Sequence, residues 1–261
     1  MLKELKKDNL WCKIYDTRSE MGKAAAEDIH IKIMELLREK DVINMIFAAA
    51  PSQNEMLDAL IRQTDIPWDR INAFHMDEYI GLSDDAPQKF STFLKNAIFD
   101  KVPFRTVHLI NGSSLSAEDE CQRYSQLLRD NPVDIVCLGI GENGHIAFND
   151  PGVADFDDKA LIKVAQLDDM CRQQQVNDGC FARIDDVPKT ALTLTIPALV
   201  CAEYMFCVVP AATKANAVYT AIHGDISEKC PASILRTHKN AILYCDSDSG
   251  AGLLQEVADY V

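Results

Sequence analysis

The 261-residue sequence predicts an α/β fold, a doubly wound and mostly parallel sheet with helices on both faces in the Rossmann-like manner. Three observations predict it. Short apolar runs alternate with amphipathic segments along the chain. Several runs are apolar at successive positions, as strands covered on both faces require. No repeat, low-complexity tract or linker divides the chain, so residues 1–261 read as a single domain.

The elements follow in order. Ser19 to Lys40 carries Ile29, Ile33, Leu36 and Leu37 on one stripe and reads as a helix. Val42 to Ala50 is an apolar run of strand type, stopped by Pro51 and Ser52. Glu55 to Gln63 is helical, Ile71 to Met76 a strand, Gln88 to Asp100 a helix and Thr106 to Ile110 a short strand. Ala117 to Arg129 is helical, and Val133 to Leu138 is a buried strand that runs into a glycine-rich turn. Leu161 to Gln166, Thr190 to Ile196 and Tyr204 to Val209 read as strands. Ala211 to Ile222 is a helix and Ala241 to Cys245 the last strand. In such sheets ligands bind outside the carboxyl ends of the strands. Chemistry is therefore expected just after Ala50, Met76, Leu138 and Val209.

Composition narrows the function classes. The formal charge is −14, and no Lys/Arg-rich block interrupts the acidity, which argues against nucleic-acid and anionic-membrane partners. A small anionic substrate needs only a local set of donors and stays open. The segment Met1 to Lys7 lacks the apolar core of a signal peptide, and no run approaches the ~18 apolar residues of a membrane span. Nine cysteines, an odd number without a Cys-x-x-Cys pair, signal neither a disulfide framework nor a zinc site. They read as small core residues in a reducing, cytoplasmic setting.

Two segments carry candidate chemistry. In His75-Met-Asp-Glu-Tyr79 a pleated strand would put His75 and Asp77 on one face, with Asp77 at a pocket mouth as a general base. The second segment, Gly139 to Gly152, contains a literal G-x-G-x-x-G at Gly139, Gly141 and Gly144. A dinucleotide fingerprint must open a helix, whereas this turn runs on through His145 and Phe148 into Asn149-Asp-Pro-Gly152, which is loop chemistry. It offers instead an imidazole at His145 and a carboxylate at Asp150 to orient it, a common proton-transfer device.

His75-Met-Asp-Glu-Tyr-Ile-Gly-Leu82 and Leu138-Gly-Ile-Gly-Glu-Asn-Gly-His-Ile-Ala-Phe-Asn-Asp-Pro151 closely resemble the two signature segments of glucosamine-6-phosphate deaminases (isomerases). The resemblance extends in order through Asn111-Gly112, Val187 to Thr193, Lys214-Ala215, His238 and Cys245-Asp246. It implies ring opening, aldose–ketose isomerisation and ammonia release without metal or organic cofactor. It further implies His145 as ring-opening catalyst, Asp150 as its supporting carboxylate and Asp77 as the C2 base. Asn143 stands where the best-known family pattern has Asp, and an amide orients an imidazole without adding charge.

The implied phosphate site departs further. The family's Thr-Gly-Ser/Gly-Thr-Pro loop is replaced by Ala49-Ala-Pro-Ser-Gln53, leaving Ser52, Gln53 and a helix N-terminus as candidate donors, with Gly139 on the neighbouring turn. Gly179 replaces the family's phosphate arginine, with Arg172 and Arg183 as nearby substitutes, and Lys214 matches its phosphate lysine. The expected substrate is accordingly glucosamine 6-phosphate, with galactosamine 6-phosphate or another sugar anion as alternative. A lactonase is less in keeping with Ile146 to Pro151, and a non-catalytic sugar-phosphate sensor would spare no reason for Asp77, His145 and Asp150 together. The Ser-Arg-Thr segment linked to family allostery is not evident at Asp155 to Lys159, and self-association is left open.

Overall fold

The apolar runs resolve into two sheets in a computed structural model, which describes residues 1–255. The last six positions of the expected 1–261 domain, 256–261, lie outside the described residues. The larger sheet has eight strands in the order β1 (Lys3–Lys7), β2 (Leu10–Ile14), β11 (Ala241–Cys245), β10 (Tyr204–Val209), β7 (Ile135–Leu138), β3 (Ile43–Phe47), β4 (Ile71–His75) and β6 (Thr106–His108). All neighbouring pairs are parallel except β1 against β2. The smaller sheet is antiparallel, in the order β5 (Asp77–Tyr79), β9 (Thr190–Leu194) and β8 (Ile162–Gln166).

The alternation of side chains across each strand divides the core in two. On one face Met45, Phe47, Ile135, Cys137, Phe206 and Val208 pack with α1 (Arg18–Glu39), α2 (Asn54–Ile61) and α3 (Phe90–Leu94). On the other, Ile46, Val136, Leu138, Met205, Cys207 and Val209 meet α4 (Ala117–Asp130), α6 (Ile196–Val200) and α7 (Ala215–His223). The remaining helices are α5 (Asp169–Asn177) and α8 (Ala251–Gln255). Each fully buried Ile, Leu or Phe contributes ~1.5–3 kcal/mol, so both layers are fixed by many such groups. No helix of the described residues is long and apolar enough to cross a membrane.

Several expectations are corrected. The hairpin of β1 and β2 has no counterpart in the sequence reading, because Lys3-Glu-Leu-Lys-Lys7 is a charged edge strand whose polarity hides it. Ile71 to Met76 does not carry a strand face on to Asp77. The large sheet ends at His75, and Asp77 restarts pairing in the small sheet opposite Thr193. The expected helix from Gln88 begins at Phe90 and widens into a π-turn over Lys95–Phe99. The expected helix from Ala211 opens with a 3-10 turn, Ala212–Lys214, before α7.

Candidate active site

A cleft of about 440 Å³ opens at the carboxyl ends of β3, β4, β7 and β10, and Asp77, His145, Ser52, Gly139 and Lys214 all line it. Asp77 is buried at the start of β5. Burial, and secondarily the charge of adjacent Glu78, pushes its carboxyl well above the usual range. Glu78 faces away from solvent and caps the next helix: Phe90 N donates to Oε1 at 3.0 Å and Ser91 N to Oε2 at 2.9 Å. His75, expected beside Asp77, is fully buried and accepts from Ile110 N at 2.8 Å through Nε2. Burial lowers its pKa to about 3, so it is a neutral structural imidazole.

His145 is positioned by its own loop. Nδ1 lies 2.8 Å from Asn143 Oδ1 and 2.9 Å from Asp150 Oδ1, and Asn143 Nδ2 donates to the same Asp150 oxygen at 2.8 Å. Nδ1 is thereby engaged as the donor, leaving Nε2 as the nitrogen available to a ligand. Burial pushes the Asp150 carboxyl up, yet hydrogen bonding and charge from His145, then Asn143 and Cys171, outweigh it and hold the group below the carboxylate range. The negative charge that Asn143 cannot supply therefore reaches the ring from Asp150. Gly141 is required here, because a Cβ would stand 2.1 Å from the imidazole. Ala147, two residues on, holds φ at +51°.

His145, Asp150 and Cys171 also offer ligand atoms within 4.8 Å of one another. The 2.9 Å contact of Nδ1 with Oδ1 is a direct hydrogen bond, shorter than the spacing of two ligands on one ~2 Å coordination sphere. Burial also raises the Cys171 thiol, keeping it protonated. The cluster fits a hydrogen-bonded support for the imidazole better than an ion cage.

One residue ties the two halves together. Thr193 on β9 pairs with Asp77 across the small sheet, and its Oγ1 accepts from Phe148 N of the His145 loop at 3.0 Å. Asn149 Nδ2 adds a bond to Leu194 O at 2.8 Å.

The opposite end of the cleft holds Ser52, Gly139 and Lys214. A Cβ at Gly139 would meet Ser52 Oγ at 3.3 Å and Gln53 Nε2 at 3.1 Å, so glycine lets the two turns close. Gln53 itself does not line the cleft; its fully buried amide donates inward to Val208 O at 3.1 Å and to Ser52 Oγ at 3.0 Å. Lys214 is buried in the cleft wall, and its Nζ has no hydrogen-bond partner among the described residues. Burial lowers its pKa, while Asp178 and Glu142 oppose that shift. The turn presenting it is strained: Ala211 sits at φ +84°, ψ 145°, a region that favours glycine, and its N–H is held by Asp246 at 3.0 and 3.1 Å.

Arg172 and Arg183 do not reach the cleft. The first donates to Val187 O and Ile184 O, and the second pairs with Asp186. Arg18, Gln174 and Asp178 line it unforeseen. Arg18 lies more than thirty residues from the loop it meets, a long-range contact that leaves no local signal.

Residues 16–244 match the family of glucosamine-6-phosphate isomerases/6-phosphogluconolactonase. The chain belongs to this family. Among its relatives, a glucosamine-6-phosphate deaminase of Streptococcus suis is 32% identical over 227 residues, 85% of this chain and 93% of that protein. One from Bacillus cereus is 32% identical over 201 residues, 77% of this chain and 75% of the relative. The solved structure of a monomeric glucosamine-6-phosphate deaminase superposes with a TM-score of 0.83 at 30% identity, covering 92% of this chain and 98% of that one. A 6-phosphogluconolactonase from Thermotoga maritima, at 22% identity, shares the fold with a TM-score of 0.72 over 90% of this chain and 98% of its own.

Proposed function

We propose that this protein is an amino-sugar-phosphate isomerase and deaminase that converts glucosamine 6-phosphate and water to fructose 6-phosphate and ammonia. The observation that carries the reading is that Asp77 and His145 line one cleft, with the His145 Nδ1 already committed to Asn143 and Asp150. His145 Nε2 takes the anomeric hydroxyl proton and returns a proton to the ring oxygen, opening the ring. Asp77 then takes the C2 proton, giving a C1–C2 enol-type intermediate, and delivers it to C1. The C2 imine so formed adds water, and the C2–N bond breaks to release ammonia and leave the ketone. A carboxylate desolvated as Asp77 is has the basicity for this transfer.

Asp150 offsets the charge that His145 acquires, and Asn143 holds the ring in place. Lys214, Ser52 and the Gly139 turn take the distal end of the sugar. Every step is a proton transfer or a hydrolysis, so the reading needs no metal or organic cofactor. A cytoplasmic location accords with a sugar-phosphate substrate.

A second reading keeps this chemistry and changes the sugar, to galactosamine 6-phosphate or one bearing another anion. Gly179 and the Asp178 carboxylate in the cleft wall favour it, since both reduce the positive charge offered to a dianion. Millimolar inorganic phosphate should compete with a phosphorylated sugar and spare a substrate without phosphate.

The test is ammonia release from glucosamine 6-phosphate by the purified protein and by Asp77→Asn. We expect turnover by the wild type, carry-over of a deuterium label from C2 of the substrate to C1 of the product, and a ~10²–10⁴-fold lower kcat in the variant. Absence of ammonia from every hexosamine 6-phosphate would overturn the reading. Thermal stabilisation by the sugar phosphate without turnover would establish the sensor alternative instead.

A further inference from the structure

We propose that Arg18 is a specificity-determining residue of the cleft, binding the distal oxyanion of the substrate together with Lys214 in place of the arginine missing at Gly179. The inference rests on the isomerase reading for the identity of the substrate, but its anion site can be tested without turnover.

The first support is Lys214. An ammonium buried in a cleft wall without an acceptor is among the costliest arrangements in a protein interior, so the wall is complementary to an anion. One ammonium is a thin match for a phosphate carrying nearly two negative charges, and Asp178 faces the same space. A second cation is needed to keep that wall from repelling a dianion. Arg172 and Arg183 are engaged elsewhere, whereas Arg18 lies in the cleft wall itself.

The second support is how Arg18 is held. Its Nε donates to Glu55 Oε1 at 3.0 Å and its Nη2 to Glu55 Oε2 at 2.9 Å, a two-point fork that fixes the guanidinium plane. Nη2 also donates to Pro51 O at 3.0 Å, joining the group to the turn that carries Ser52. Among the described residues Nη1 makes no hydrogen bond and remains for a ligand oxygen. The reach of Arg18 depends on Gly22, one turn later on α1: any Cβ there would stand 2.5 Å from Glu55 Cβ and 2.9 Å from Met56 N. The two helices thus approach closely enough to bring the first turn of α1 over the loop. The Arg18–Glu55 pair is partly exposed, a setting in which an ion pair is weak and readily shared with a third charge.

Arg18→Met and Glu55→Gln decide the matter by moving in opposite directions. For Arg18→Met we expect a KM for glucosamine 6-phosphate raised about tenfold or more with kcat nearly unchanged, and a smaller melting-temperature shift on adding inorganic phosphate. For Glu55→Gln, which removes the competing carboxylate and keeps the cation, we expect inorganic phosphate to bind severalfold more tightly. An Arg18→Met protein with wild-type KM and wild-type phosphate shift overturns the proposal, as does one that loses kcat alone. If Arg18→Met does not fold, Glu55→Gln decides: unchanged or weaker phosphate binding overturns the proposal. If the wild type turns over no hexosamine phosphate, the isomerase reading fails separately, and the phosphate shifts of the two variants still judge Arg18.

Discussion

Asp77 carries a cost in stability that its proposed chemistry requires. Its carboxyl is raised by burial above its unfolded value, so the fold prefers it protonated. The contribution of such a group is fully favourable below the unfolded value of ~3.9 and is lost as pH rises through the folded value. Asp77→Asn has no charge to bury. It should therefore melt higher than the wild type near neutrality, with a gap that widens as pH rises from 4 to 8, while activity falls. At this chain length each ~1 kcal/mol corresponds to ~2–4 °C. Melting curves of the two proteins that run parallel across this pH range would contradict the assignment. The roles of neighbouring residues were less legible. His75 and Asp77 look like a pair on one strand face, yet the first is a neutral core acceptor and only the second meets the cleft. The capping role of Glu78 leaves no local signal, because its partners at Phe90 and Ser91 lie beyond an intervening loop.

At the scale of elements, strands buried on both faces were readable because burial leaves an unbroken apolar run, as in Ile135–Leu138 and Tyr204–Val209. The partition into two sheets was not. Thr190–Leu194 looks like any other strand, and its antiparallel pairing with Asp77–Tyr79 is a contact between segments more than a hundred residues apart. Helix-to-helix distance was equally hidden, being set by a missing side chain at Gly22. Gly22→Ala puts a methyl group against the backbone of α2, which cannot swing aside as a side-chain tip would. We expect a loss of ~1–3 kcal/mol in urea unfolding, the usual cost of overpacking, together with a raised KM as Arg18 shifts. An unchanged midpoint would show that α1 and α2 separate freely.

At the scale of the whole molecule, a net charge of −14 coexists with a cleft that holds a buried ammonium without a hydrogen-bond partner among the described residues. The folded pKa of Lys214 is lowered, so its charged form is disfavoured by the fold at neutral pH. Lys214→Met should consequently raise the melting temperature of the ligand-free protein and abolish stabilisation by inorganic phosphate. A variant that melts lower while still responding to phosphate would place the anion elsewhere. In the wild type, phosphate binding should offset that penalty, with a gain that grows as the logarithm of ligand concentration. Folding and substrate capture are thus linked through one side chain.

Thr193 gives the molecule a shared datum. If Asp77 and His145 were each referenced to the frame through separate strands and loops, small displacements would accumulate along both routes before reaching the substrate. Here both routes meet at one fully buried residue, by backbone pairing on one side and by its hydroxyl on the other. A shift of β9 carries base and imidazole in the same direction and largely preserves the gap between them. The outer loops can move while the tolerance on the reacting groups stays tight.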